Sequence, residues 1–268
     1  MTSVTHLNGI PATAADLTPL AFAGYAHFTA MQMRGHAVRG LDLHLRRLRR
    51  ASDALFGQHL PDDQIIHLLR TAVEDSGRAD ASLTCFVTSR PGEFAPASEA
   101  PDLDLLVKVT APAQPPVGPL SLDVVRHERH LPDIKHVGEV GKTLFLRQAN
   151  AQGFDDAAFV DHSGRLSEAP IWNLAFWDGD TVVWPEAAIL PGMTMQILRR
   201  RLEAMGVPQQ TRPVRLTDVE GRLSAVVMNS WSPGIPVSRL GEVPLDVDSG
   251  FTEILEEAYA DEAQHALV

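Results

Sequence analysis

Two periods alternate along the chain, one of two residues and one of about 3.6, and they divide it into predicted strands and helices. Tyr25 to Val38 carries short apolar alternation broken at Gly35 and predicts a strand hairpin, after which Leu41, Leu45, Leu48 and Leu55 recur at helical spacing. Pro61 opens a second predicted helix through Ile65, Leu68, Leu69 and Val73, and the apolar runs Ser82 to Thr88 and Leu103 to Thr110 predict strands. The first part of the chain therefore reads as α+β. Ala111 to Pro119 then holds four prolines and a glycine in nine residues, which neither a helix nor a sheet interior accommodates. Residues 112–119 are taken as a linker between an N-terminal α/β domain over 1–111 and a C-terminal domain over 120–268. Past the linker, Leu120 to Arg126 alternates like a strand, Thr143 to Gln152 like a helix stopped by Gly153, and Ala157 to Val160 like a buried strand. Asp161 to Gly164 supplies a turn into a hairpin, Leu174 to Trp177, Val182 to Trp184 and Ala225 to Met228 are further strands, and Thr194 to Met205 is a helix.

Composition narrows the function more than the fold. At 268 residues and 44% hydrophobic content the chain can bury one large core or two modest ones, and two are expected. The 23 Lys and Arg against 34 Asp and Glu leave a net charge of −11, which disfavours nucleic acid as a partner. A single cysteine, Cys85, excludes an intramolecular disulfide framework and a thiolate metal cluster, and no metal site is expected. Apolar runs are too short to span a membrane, and the N-terminus lacks a basic start with an apolar core, so a cytoplasmic location away from the membrane is expected.

Three segments carry candidate chemistry. Lys135, flanked by Ile134 and Val137, can lose solvation, which lowers an amine's pKa and frees the neutral form that attacks an aldehyde. Lys142, seven residues on, is an equal rival, and either can be a plain surface lysine. Glu168 follows Lys135 by 33 residues in Leu-Ser-Glu-Ala-Pro-Ile-Trp-Asn173. A carboxylate fixed against a pyridine nitrogen keeps that nitrogen protonated and makes the ring an electron sink, whereas the plainer role is an exposed strand end; Asn173 suits either a turn or the orientation of a neighbour. Leu190-Pro-Gly192-Met193-Thr194 places a glycine before a helix whose first-turn amides can cradle a phosphate, with Thr194 as hydroxyl donor or merely as N-cap. Asn229-Ser230-Trp231-Ser232-Pro-Gly234 is a polar loop suited to ligand contacts or an ordinary turn, and Arg90, closing the strand Ser82 to Ser89, can meet a substrate carboxylate or stay solvated.

Taken in order, these segments closely resemble the class IV aminotransferase family, the fold-type IV pyridoxal phosphate enzymes that include branched-chain and D-amino acid aminotransferases and aminodeoxychorismate lyase. The resemblance runs from about Phe28 to Val237. His44-Leu-Arg-Arg47-Leu48 with Ser52 is similar to the family's H-L-x-R-L-x-x-S helix, which implies Arg47 as a cofactor-phosphate ligand. An Ile-Lys pair with a glycine 18 residues later, Lys135 to Gly153, is similar to the Schiff-base lysine and its following helix, which selects Lys135 over Lys142. Ser167-Glu168 with Asn173 resembles S-E-G-x-x-x-N, implying Glu168 at the pyridine nitrogen. By the same resemblance Leu190 packs on the ring, Gly192, Met193 and Thr194 start the phosphate-binding helix, and Ser230 and Trp231 form a second phosphate and substrate segment. The implied fold is α+β in two domains, a small N-terminal α/β domain and a larger, barrel-like, mixed α/β C-terminal domain.

Departures from the pattern are Met195 where the family has arginine, Ala169 where it has glycine, and Trp231-Ser-Pro-Gly-Ile-Pro236 where it has threonine or alanine followed by E-[IL]-x-P. The last is read as a bulky loop that reshapes the substrate side. The resemblance implies a transaminase with pyridoxal 5′-phosphate on Lys135, an amino acid and a 2-keto acid as substrates, and a homodimer. A lyase that eliminates a β-substituent and a silent cofactor-binding homologue are the alternatives.

Overall fold

The computed structural model describes residues 3–90 and 101–268. Two compact units divide the chain, and they are interleaved in sequence. The first comprises Met1–Gln114, Ile134–Gly138 and Ala263–Val268; the second comprises Pro115–Asp133 and Glu139–Glu262.

The first unit contains β1 (Val4–Leu7), β2 (Ile10–Pro11), β3 (His27–Arg34), β4 (Ala37–Arg39), α1 (Leu41–Phe56), α2 (Asp62–Ser76), β5 (Ala81–Arg90) and β6 (Asp102–Thr110). The last strand of the chain, β15 (Gln264–Ala266), joins it to give the order β15-β4-β3-β5-β6-β1-β2, antiparallel throughout. Strict alternation decides which face is buried. In β3, His27, Thr29, Met31 and Met33 point inward, and in β5 Ala81, Leu83, Cys85 and Val87 do the same. Leu45 and Leu48 of α1 with Ile65, Leu69 and Val73 of α2 close this core. Each such side chain contributes about 1.5–3 kcal/mol by leaving water, so the helices are held by the sheet they cover.

The second unit contains β7 (Leu120–Arg126), α3 (Gly141–Ala151), β8 (Asp156–Val160), β9 (Asn173–Trp177), β10 (Val182–Pro185), α4 (Met193–Ala204), β11 (Gln209–Arg212), α5 (Leu216–Val219), β12 (Ser224–Asn229), β13 (Ser232–Leu240), β14 (Val243–Pro244) and α6 (Ser249–Ala260). The order is β11-β10-β9-β12-β13-β7-β8, with β14 on β13. Pairing is parallel at β10/β11, β13/β7 and β7/β8 and antiparallel elsewhere. Both faces of the central strands are buried, which explains why β9 reads as an unbroken apolar run: Leu174 and Phe176 enter one cluster, Ala175 and Trp177 the other. That second cluster is completed by Met195, Leu198 and Leu202 of α4 and Phe251 and Leu255 of α6. The mixed α/β architecture expected from the resemblance is therefore present. No described helix is long and apolar enough to cross a membrane.

One segment differs from its sequence reading. Of the segment 231–236, only Trp231 lies outside a strand: Ser230 and Trp231 form a tight turn, and β13 begins at Ser232. Its prolines are tolerated because the stretch before Val237 pairs with β12 alone, the ladder to β7 starting only at Val237. A proline there leaves no bond to β7 unmade. The short strands β1, β11, β14 and β15 and the helix α6 also escaped the periodicity analysis.

Candidate active site

In the second unit the site grows from a hairpin. Asp161 Oδ1 accepts from the amides of Ser163 and Arg165 at 2.8 and 2.9 Å, and the chain returns beside β8, with Ser167 N donating to Phe159 O at 2.9 Å and Phe159 N to Glu168 O at 2.7 Å. Ala169 N bonds Trp172 O at 2.9 Å, closing a turn that delivers Asn173 opposite Glu168. The two side chains then clamp one residue. Glu168 Oε2 accepts from Leu190 N at 3.0 Å, and Asn173 Nδ2 donates to Leu190 O at 2.9 Å. Glu168, Asn173 and Leu190 are all buried, so these bonds form where water does not compete.

The clamp carries the chain into α4, whose N-cap is Gly192. A Cβ on Gly192 would lie 1.8 Å from Asn173 Oδ1, so the close approach admits only glycine. No side chain caps α4, leaving the amides of Met193, Thr194 and Met195 at the positive end of the helix dipole as an anion cradle. Thr194 Oγ1 donates to Asn229 O at 2.7 Å, which ties α4 to the end of β12. The threonine hydroxyl therefore spends its one proton on that carbonyl and offers an anion its backbone amide instead. Met195, at the position of the family's arginine, is packed in the apolar cluster with Leu198. Ser230 and Trp231 turn directly after Asn229, and the Trp231 ring, 38% exposed, meets the buried Trp172 edge to face at 5.7 Å.

Sequence reasoning passed over Arg129. Its side chain is only 7% exposed, with Nη1 3.7 Å from Glu168 Oε1 and Nε 4.0 Å from Glu139 Oε2. A charged residue so nearly buried needs opposite charges beside it, but nothing local in Arg126-His-Glu-Arg-His130 distinguishes Arg129 from Arg126.

In the first unit, β3 and α1 organise the remaining residues. His44 Nδ1 pairs with Thr29 Oγ1 at 2.6 Å and Ser52 Oγ with His27 Nε2 at 2.8 Å, so two residues of the helix motif bolt α1 to β3 and thereby orient Arg47 between them. Burial pushes His27 down to about 4; burial first, and then the nearby Arg47 charge, push His44 down to about 3, so both rings are neutral at pH 7. Lys135 lies on a segment pinned to the start of β3: Phe28 N donates to Lys135 O at 2.8 Å and Val137 N to Ala26 O at 3.0 Å. Its Nζ is 4.9 Å from the Phe28 ring centroid. Arg90, at the end of β5, pairs through Nε with the buried Asp104 at 2.7 Å. Lys142 belongs to the second unit, where burial, and then the Arg129 charge, lower its pKa.

The comparisons agree with this architecture. The family model for amino-transferase class IV matches residues 26–240, and the chain belongs to that family. It is thus an enzyme of the class that uses pyridoxal phosphate on the fold-type IV scaffold. Among solved structures, the chain is similar to a branched-chain aminotransferase from the archaeon Thermoproteus uzoniensis with norvaline, at 15% identity, 100% of both chains and a TM-score of 0.87. It is also similar to a T.th. branched-chain amino acid aminotransferase with pyridoxamine 5′-phosphate, at 14% identity, 100% of both chains and a TM-score of 0.83. A third is a putative 4-amino-4-deoxychorismate lyase from Legionella pneumophila, at 18% identity, 94% of this chain, 96% of that one and a TM-score of 0.82. No curated protein matches the sequence.

Proposed function

We propose that the protein is a pyridoxal 5′-phosphate-dependent aminotransferase that moves an amino group between an amino acid, or a related amine, and a 2-keto acid. The observation that carries the reading is the buried Glu168–Leu190–Asn173 clamp leading into an uncapped helix start. It joins an acceptor for a ring N–H, an apolar surface and an anion cradle in one run of backbone. When bound, pyridoxal phosphate supplies an aldehyde for an amine and a protonated ring that accepts electrons from the substrate α-carbon.

The protein's own residues divide the remaining work. Lys135 Nζ would hold the cofactor, and the same amine, when free, would move the substrate α-proton. Glu168 accepts the ring N–H, Asn173 keeps Leu190 in place, and the Leu190 side chain packs on the ring. Amides at Gly192, Met193 and Thr194, the Arg47 guanidinium and Ser230 hold the phosphate. Trp231 borders the substrate. With Nε engaged by Asp104, Arg90 keeps its terminal nitrogens for a substrate carboxylate. The active protein is a homodimer, for which Val140 and Leu144, 79% and 50% exposed one turn apart, supply apolar surface.

Borohydride reduction of the cofactor-loaded protein, followed by peptide mass analysis, tests the reading. Label on the peptide bearing Lys135, and none in Lys135→Ala, is expected; no reducible adduct, or full activity in Lys135→Ala, overturns it. The unreduced, cofactor-loaded protein mixed once with an amino donor should yield pyridoxamine phosphate and a keto acid. Pyruvate without pyridoxamine phosphate would make the enzyme an eliminating lyase.

A further inference from the structure

Arg129 is shared between two buried carboxylates and closes on neither. Its distances of 3.7 Å to Glu168 and 4.0 Å to Glu139 are ion-pair distances, whereas an arginine left with one carboxylate usually forms parallel bonds of about 2.8 Å. Glu139 is itself held. His127 Nε2 lies 3.3 Å from its Oε1, and the His127 ring sits 5.0 Å from the Phe145 ring and 4.7 Å from the Phe159 ring. Gly141 opens the room for this pair, since a Cβ there would come within 3.0 Å of His127 Cε1 and 3.3 Å of Glu139 Oε1. Lys142 is the further cation in the group, attracted by Glu139 and repelled by Arg129.

We propose that Glu139 is a positioning residue for the cofactor site, drawing Arg129 away from Glu168 so that Glu168 Oε1 stays directed to a ligand N–H. The inference rests on the cofactor role proposed above for Glu168. Arg129 then stands opposite the buried Glu168 carboxylate at ion-pair distance without capturing its oxygen in a short bond. Without the Glu139 charge, Arg129 swings to Glu168 and competes with the ring nitrogen for the same oxygen.

Titration of the apo-protein with pyridoxal phosphate, read by absorbance, tests this in Glu139→Gln, which keeps shape and removes charge. Affinity should fall about tenfold, the scale of one charge-assisted contact. Glu139→Asp, which retains the charge, should recover most of it. The deciding probe is 1-deazapyridoxal phosphate, in which carbon replaces the ring nitrogen: its binding should not change in Glu139→Gln, because it has no N–H for Glu168. Equal weakening of both compounds, or no weakening of either, overturns the proposal. Should Glu139→Gln fail to fold, Glu139→Ala, which also removes the charge, must reproduce the same selective loss. If the wild-type protein binds no pyridoxal phosphate, the functional reading fails; if it binds and Glu139→Gln binds equally, only the role of Glu139 fails.

Discussion

Replacing Gly192 by alanine should damage the site through one identifiable contact. Gly192 has φ −61° and ψ 147°, a conformation alanine adopts freely, so backbone strain contributes nothing. The added methyl would stand 1.8 Å from Asn173 Oδ1 and 3.0 Å from its Cγ, where non-bonded atoms prefer about 3.5 Å. Asn173 is the group that must yield, and in turning away it loses its 2.9 Å bond to Leu190 O. Leaving that buried amide unsatisfied costs about 1–3 kcal/mol, and a displaced rotamer adds about 0.5–1.5 kcal/mol. A loss of about 3 kcal/mol should lower the melting temperature of the apo-protein by about 10 °C. Differential scanning calorimetry gives the value directly. In an Asn173→Ala background the obstructing oxygen is gone, so Gly192→Ala should then cost less than about 1 kcal/mol. A Gly192→Ala protein that melts with the wild type, or a penalty undiminished in the Asn173→Ala background, would refute the steric argument.

Two further outcomes follow from buried titratable groups of the first unit. His27 and His44 have folded pKa values of about 4 and about 3, below their unfolded value of 6.5, so the unfolded chain binds more protons once the pH drops under 6.5. Their contribution is fully present above 6.5 and is lost as pH falls, by about 1.4 kcal/mol per unit for each ring, down to about 4 for His27 and about 3 for His44. Urea melts of the wild type and of a His27→Gln, His44→Gln variant between pH 6.5 and 5 should diverge in slope, and parallel slopes would contradict it. Cys85 is 0% exposed and burial pushes its thiol up to about 12; iodoacetamide at pH 8 should leave it untouched until denaturant is added, and rapid labelling of the native protein would show that the strand face is open.

The elements legible in the sequence were those that keep one burial pattern along their length, whether on a single face or on both. In α1, α2 and β3 a single face meets the core, so the period survives in the residues, and β8, β9, β10 and β12, buried on both faces, survive as continuous apolar runs. The order of Arg47, Lys135, Glu168 and Leu190 to Thr194 was readable for a different reason: each belongs to a short local pattern. Where burial comes from partners distant in the chain, no such trace remains. β13 looked like a loop because of Pro233 and Pro236, and only its one-sided pairing with β12 makes those prolines acceptable. Likewise His44 and Ser52 were legible as motif residues, but their role in fastening α1 depends on Thr29 and His27 across the fold.

By itself, then, the sequence determined the family and the mixed α/β class and nominated candidate residues, because periodicity and motif spacing are properties of contiguous chain. Tertiary structure alone decided that Gly192 must lack a side chain because Asn173 occupies its space, that the Thr194 hydroxyl is committed to β12, and that Arg129, on the connection after β7, stands between Glu139 and Glu168. The physical reason is the same in each case: the energy of a buried polar group is set by the atoms that replace its water, and those atoms are brought by folding.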